Sequence, residues 1–245
     1  MLWWGSAEMR RSAPPPGFPH RATLPEVWVE EVRKAVLSWS ADNERHFPWR
    51  QTRDPFQLML AEILLRRTQA TRVTQPYSEL VSRFPDPQSL ANADPTEVRA
   101  MFRSLGLVKK ADQLMAAARV IAQEHHGRVP HDLAGLLKLP GLGTYSARAL
   151  LCMGFDEPLP MIDESSGRLL RRLLGLPAHR NAYGDRELLA IAKELLPVGS
   201  ARRFNLGLLD LAALICRPAA PRCPSCPLRK LCSFARCAGG ARSGS

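Results

Sequence analysis

The sequence predicts an all-α fold, and three observations lead there. Apolar residues recur at helical spacing from Leu24 onward, as in Leu107, Ala111, Leu114, Ala118 and Ile121, which gathers them on one face of a helix with 3.6 residues per turn. No stretch shows the sustained apolar and polar alternation of a half-buried strand. Helix starts carry what helix starts require: Asp94-Pro95-Thr96-Glu97 supplies a capping side chain, a proline at the first helical position and a capping-box acid. With 245 residues, 45% of them hydrophobic, the chain can bury a core of its own.

Taken in order, residues 1–23 hold a triple proline and scattered arginines without apolar period, and read as a flexible tail. Helical patterns follow. Leu58 to Leu65 form an apolar helix, and Leu133 to Leu139 and Ser146 to Phe155 flank a glycine-containing turn. A further helix begins after Pro160-Met161-Ile162, and another runs from Phe204 to Ile215 into a cysteine-rich loop. Residues 238–245 are small and polar, the composition of a frayed end. No internal repeat or long linker interrupts the chain.

Charge narrows the partners. Thirty-four Lys and Arg against 23 Asp and Glu leave a formal charge of +11 and a pI near 10.0. Most of the cations are arginine, which forks onto phosphate and stacks on bases, so a polyanionic partner is expected. No apolar run approaches the roughly 18 residues that span a bilayer. Met1 to His20 lacks an apolar signal core with a cleavage site. These features predict a cytoplasmic protein without membrane contact, whose six cysteines stay reduced.

Three constellations carry chemistry. The first is Leu139-Pro140-Gly141-Leu142-Gly143-Thr144-Tyr145 between two apolar helices. Its glycines allow a tight hairpin with close backbone approach, and the N–H groups opening the second helix suit a backbone phosphate without reading sequence.

The second is a pair of carboxylates in contrasting settings. Glu62 lies within an apolar helix, where desolvation raises a carboxyl pKa and makes it a proton donor near neutrality. Asp163 stands where a helix begins, which favours an anion able to stabilise an oxocarbenium-like sugar and orient a water.

The third is Cys216-x6-Cys223-x2-Cys226-x5-Cys232, four thiols within 17 residues. Such a set can ligate a tetrahedral zinc or a [4Fe–4S] cube; zinc sites usually come as two Cys-x2-Cys knuckles, and the 6-2-5 spacing looks instead like a cluster loop. Arg217, Arg222, Arg229 and Lys230 around it could meet phosphate. Cys152 reads as core packing and Cys237 as an incidental thiol.

In this order, from Phe47-Pro48-Trp49-Arg50 to Cys232, these elements resemble the endonuclease III and MutY superfamily of helix-hairpin-helix DNA glycosylases. The likeness is strongest to the archaeal mismatch-specific thymine/uracil glycosylases. Thr52-Arg53-Asp54-Pro55-Phe56, Ala61-Glu62-Ile63-Leu64-Leu65-Arg66-Arg67-Thr68 and Phe204-Asn205-Leu206-Gly207-Leu208-Leu209-Asp210 all look like that branch.

The resemblance implies a six-helix barrel lobe over residues 52–155 and a discontinuous cluster lobe over 24–51 and 156–237. It further implies a [4Fe–4S] cofactor on the four cysteines, double-stranded DNA held as substrate by a monomer, and a mismatched or damaged base flipped into a pocket. Glu62 and Asp163 fall on the family's catalytic acids. Leu139, Gly141, Gly143 and Thr144 fall on the DNA-gripping hairpin, joined in DNA contact by Arg217 and Arg222. Arg66 and Arg67 fall where relatives insert side chains into the gap left by the flipped base.

Tyr145 occupies the place of the lysine with which strand-nicking relatives form a Schiff base. The resemblance therefore implies hydrolysis of the N-glycosidic bond to an abasic site, with little lyase activity.

Adenine removal opposite 8-oxoguanine is the rival within the superfamily. Leu107-Val108 in place of that branch's tyrosine pair, and a chain ending soon after the cluster loop, disfavour it. A glycosylase for another modified base, a non-catalytic DNA binder and a redox sensor built on the cluster are further alternatives. The usual Asp-x-Asn-Val segment reads Asp163-Glu164-Ser165-Ser166 here, a departure that bears on pocket specificity.

Overall fold

A computed structural model describes residues 24–66, 68–103, 106–178 and 182–240, with side chains through 236. Both expected tails lie wholly or largely outside this range, as do Arg67 and the Cys237 side chain. The described residues form helices joined by short connections, and none of them is in a strand. They divide into two compact units. One holds the residues up to Arg45 and those from Pro160 on; the other is His46–Leu159.

The first unit opens with α1 (Glu26–Asn43), whose buried face is Trp28, Val29, Val32 and Val36. The second unit follows, with α2 (Pro48–Gln51), α3 (Pro55–Leu65), α4 (Ala70–Arg83), α5 (Pro87–Ala91), α6 (Pro95–Arg103), α7 (Val108–Glu124), α8 (Leu133–Lys138) and α9 (Thr144–Gly154). Its axis is α3, in which every residue from Leu58 to Leu64 is buried. A helix apolar all round must sit inside a unit, and α3 packs against α2, α4, α7 and α9. Asp54 starts it, accepting from the N–H of Phe56 at 2.8 Å and of Gln57 at 3.4 Å, with Pro55 at the first helical position.

The expected stripe on α7 is present, with Ala111, Leu114, Ala118 and Ile121 buried. Asp94 caps α6 through the Thr96 N–H at 2.8 Å, but Glu97 does not complete the expected capping box: it accepts from Arg83 Nε of α4 at 2.6 Å. The proximity of a guanidinium outweighs a weak local bond. At the start of the unit, Phe47 stacks on Trp49 with centroids 4.9 Å apart, and Trp49 meets Tyr77 of α4 edge-on.

The chain returns to the first unit with α10 (Glu164–Leu174), α11 (Arg186–Glu194), α12 (Ala201–Leu214) and α13 (Ser233–Gly240). The core of this unit joins α1, α10, α11 and α12 through Trp28, Val32, Leu170, Leu188, Phe204 and Leu211. Gly207 is what lets α1 and α12 meet closely: a Cβ there would lie 2.9 Å from Val36 Cγ1 and 3.1 Å from Ser40 Cβ. No helix among the described residues is long and apolar enough to cross a membrane.

Candidate active site and cysteine loop

Within the second unit, α3 and the α8–α9 hairpin bring several of the expected residues together. Glu62 is 9% exposed in the middle of α3. Where α3 ends, Lys110 Nζ of α7 donates to the carbonyl of Arg66 at 2.6 Å and to that of Ile63 at 3.4 Å, a cation placed where the helix dipole favours one. Arg66 Nη1 donates to the carbonyl of Gly141 at 2.8 Å. The side chain expected to enter a DNA gap is thus tied to the hairpin turn.

The two hairpin glycines differ. Gly141 has φ +88°, in the left-handed region that side chains disfavour, and a Cβ there would crowd Gln113 Cβ at 3.2 Å. Gly143 is extended and exposed, and its Cβ would meet nothing within 4 Å. The chain itself therefore places no steric demand for glycine at 143. Gly143 caps α9, Thr144 opens it exposed, Tyr145 follows half-buried in its first turn, and Leu139 anchors the turn in the core.

Asp163 belongs to the first unit, at the N-cap of α10. Its Oδ1 accepts from the Ser166 N–H at 2.7 Å and from Ser166 Oγ at 2.8 Å, while its own N–H donates to Ser166 Oγ at 2.9 Å. The Ser166 hydroxyl thus completes a reciprocal capping box. The side chain of Ser165, half-exposed beside it, makes no hydrogen bond among the described residues. Two residues before Asp163, the Met161 N–H donates to Asn205 Oδ1 of α12 at 3.0 Å.

The cysteine loop is fastened to the same helix. Arg168 Nε donates to the carbonyl of Cys216 at 3.0 Å, and its Nη2 to that of Ala212 at 3.0 Å. Arg172 reaches the carbonyls of Arg217 and Pro218 at 2.8 and 2.9 Å and Cys216 Sγ at 3.5 Å, and lies over the Phe234 ring. Burial pushes the Cys226 thiol up to about 11, with the charges of Cys232, Cys216 and Cys223 adding to it against a Leu228 N–H. Among the described residues no three His, Cys, Asp or Glu side chains close on a point that could hold one metal ion. Arg222 is exposed, whereas Arg217 Nη2 donates to Ala220 within its own loop at 3.2 Å.

Sequence reasoning missed Ser166 and Lys110 and used Asn205 only for likeness. A buried amide interrupting the apolar run of α12 was the available signal for Asn205. A groove of about 680 Å³ on the second unit, lined by Phe56, Asp86, Arg128, His131 and Phe155, holds none of the expected site residues.

Residues 60–196 match the HhH-GPD superfamily of base excision DNA repair proteins, more than half of the chain. The chain belongs to that superfamily. This HhH-GPD protein is 36% identical over 204 residues to the thymine/uracil-DNA glycosylase of Methanothermobacter thermautotrophicus, covering 83% of this chain and 92% of that one. It is 32% identical over 222 residues to an adenine DNA glycosylase of Mycobacterium tuberculosis, covering 86% of this chain and 71% of that protein. Among solved structures, a thermostable thymine-DNA glycosylase superposes with a TM-score of 0.81 at 34% identity, covering 85% of this chain and 96% of that one.

Proposed function

We propose that this HhH-GPD protein is a monofunctional DNA glycosylase that hydrolyses the N-glycosidic bond of thymine or uracil mispaired with guanine. The observation that carries the reading is a buried carboxyl, Glu62, on a helix bonded at its end to the α8–α9 hairpin, with tyrosine and not lysine in the first turn of the hairpin's second helix. The printed activity of the 36% identical relative supports the choice of base, and Leu107-Val108 continues to disfavour the adenine branch.

Glu62 and Asp163 divide the chemistry. Glu62, held among apolar neighbours, protonates the departing base and recovers its proton from the attacking water. Asp163 supplies negative charge against the oxocarbenium-like sugar and orients that water toward C1′. Water ends as the new hydroxyl and the base leaves with a proton. Tyr145 offers no amine to the opened sugar, so no Schiff base forms and the strand stays whole at an abasic site. The exposed N–H groups opening α9, next to a glycine that the chain does not itself require, take a DNA phosphate. Exposed Arg222 adds a second phosphate contact.

Cys216, Cys223, Cys226 and Cys232 would hold a [4Fe–4S] cluster. Zinc sites usually come as two Cys-x2-Cys knuckles, whereas the 6-2-5 spacing of these four thiols suits a multi-iron cluster loop. When bound, the cluster supplies iron–thiolate bonds that fix the loop carrying Arg222.

The test is incubation with duplexes containing G:T, G:U, adenine opposite 8-oxoguanine, or no lesion, developed with and without hot alkali. Breaks on the thymine or uracil strand that need alkali support the reading. Breaks at adenine move the protein to the adenine branch, and breaks without alkali overturn the role given to Tyr145.

A further inference from the structure

We propose that Asn205 is a positioning residue for Asp163, holding the backbone that delivers this carboxylate; the proposal rests on the catalytic reading of Asp163 given above. The chain passes between its two units twice, after Arg45 and before Pro160. Helix α12 grips the first-unit side of both crossings from within one buried turn and a half. Asp210, fully buried, accepts from the Arg45 backbone N–H at 3.0 Å and from Arg45 Nε. Asn205, five residues earlier and 1% exposed, accepts from the Met161 N–H at 3.0 Å.

The returning crossing matters for chemistry because it is short. Only Ile162, itself buried, separates Met161 from Asp163. The aspartate is therefore fixed on both sides, by the Asn205 bond before it and by the Ser166 capping box after it. Neither bond alone specifies where the carboxylate points: a cap fixes the start of α10, and the Asn205 bond fixes the direction from which the chain arrives. Asn205 lies inside an apolar helix, where an amide costs stability unless its polar atoms are used. Its oxygen is used on the segment leading into the site.

The consequence is kinetic. A carboxylate displaced by a fraction of an ångström still binds nothing differently in the ground state, but meets the developing sugar cation less well. The experiment compares wild type with Asn205→Leu and Asn205→Ala, which remove the acceptor with and without comparable bulk. Asp163→Asn is run beside them on a G:T duplex under single-turnover conditions.

The expected result is a loss of about ten- to hundredfold in the excision rate constant, a displaced acid limb of the pH–rate profile, and a duplex Kd within about threefold of wild type. The alanine variant carries the same expectation should the leucine variant not fold. Activity lost in Asp163→Asn but intact in Asn205→Leu and Asn205→Ala refutes the proposal and leaves the function standing. Equal losses of rate and duplex affinity, with an unmoved pH profile, refute it as well. Wild-type inactivity on every duplex removes the proposal together with the reading on which it rests.

Discussion

Replacing Ser166 by alanine probes the bond network on which the site in the first unit depends. The hydroxyl is fully buried, accepts from the Asp163 N–H at 2.9 Å and donates to Asp163 Oδ1 at 2.8 Å. Alanine keeps the backbone N–H of residue 166 on Oδ1 and removes the three contacts of the hydroxyl, leaving the Asp163 N–H without its partner. The N-cap bond itself stays, and the stranded donor costs about 1–3 kcal/mol, so a loss of about 2 kcal/mol is expected. For a protein of this size each kcal/mol moves Tm by roughly 2–4 °C, which sets the expected fall at about 4–8 °C. Ser165→Ala, one residue away and half-exposed without a side-chain hydrogen bond, should stay within about 0.5 kcal/mol of wild type. Scanning calorimetry on the two variants measures the difference. Equal melting of Ser166→Ala and wild type, or an equal cost for Ser165→Ala, would refute the reasoning.

Further outcomes follow from other parts of the molecule. Gly207→Ala should destabilise by about 1–3 kcal/mol, read by denaturant unfolding, because its Cβ would press Val36 and Ser40 at the α1–α12 crossing. Iron and acid-labile sulfide should be found in the cluster's own four-to-four proportion, and Cys226→Ser should lower both and weaken duplex binding; stoichiometric zinc would contradict the assignment. Burial, with the nearby Asp54 charge adding to it, pushes the Tyr77 hydroxyl up to about 12. The unfolded chain then gives up this proton first, at about pH 10. The contribution to stability is therefore fully present below about pH 10 and is lost as pH rises toward 12. Tyr77→Phe should flatten that part of the stability curve.

Much of the fold was legible because local chemistry and tertiary packing agree. The α7 stripe and the helix start at Asp163 both follow from rules that act within one turn. Where a tertiary partner competes with a local one, the reading failed: Glu97 chose Arg83 of another helix over its own cap. Arg66 shows why a site is harder to read than a helix. Its position after an apolar helix is plain from sequence, but its bond to Gly141 spans 75 residues and depends on how α3 packs beside the hairpin. Ser166 had been marked only as a departure from a pattern; its role became visible with the geometry of the cap. Asn205 left a trace in sequence, as a polar residue in an apolar run, yet nothing local identifies Met161 as its partner.

The most direct measurement of the central claim is mass analysis of the products from a G:T duplex incubated with excess protein. The account predicts free thymine released in step with a full-length strand lighter by one base and heavier by one hydroxyl, with no shorter fragment until alkali is added. Shortened strands carrying an unsaturated sugar end, or a duplex returned with every base in place, would contradict it.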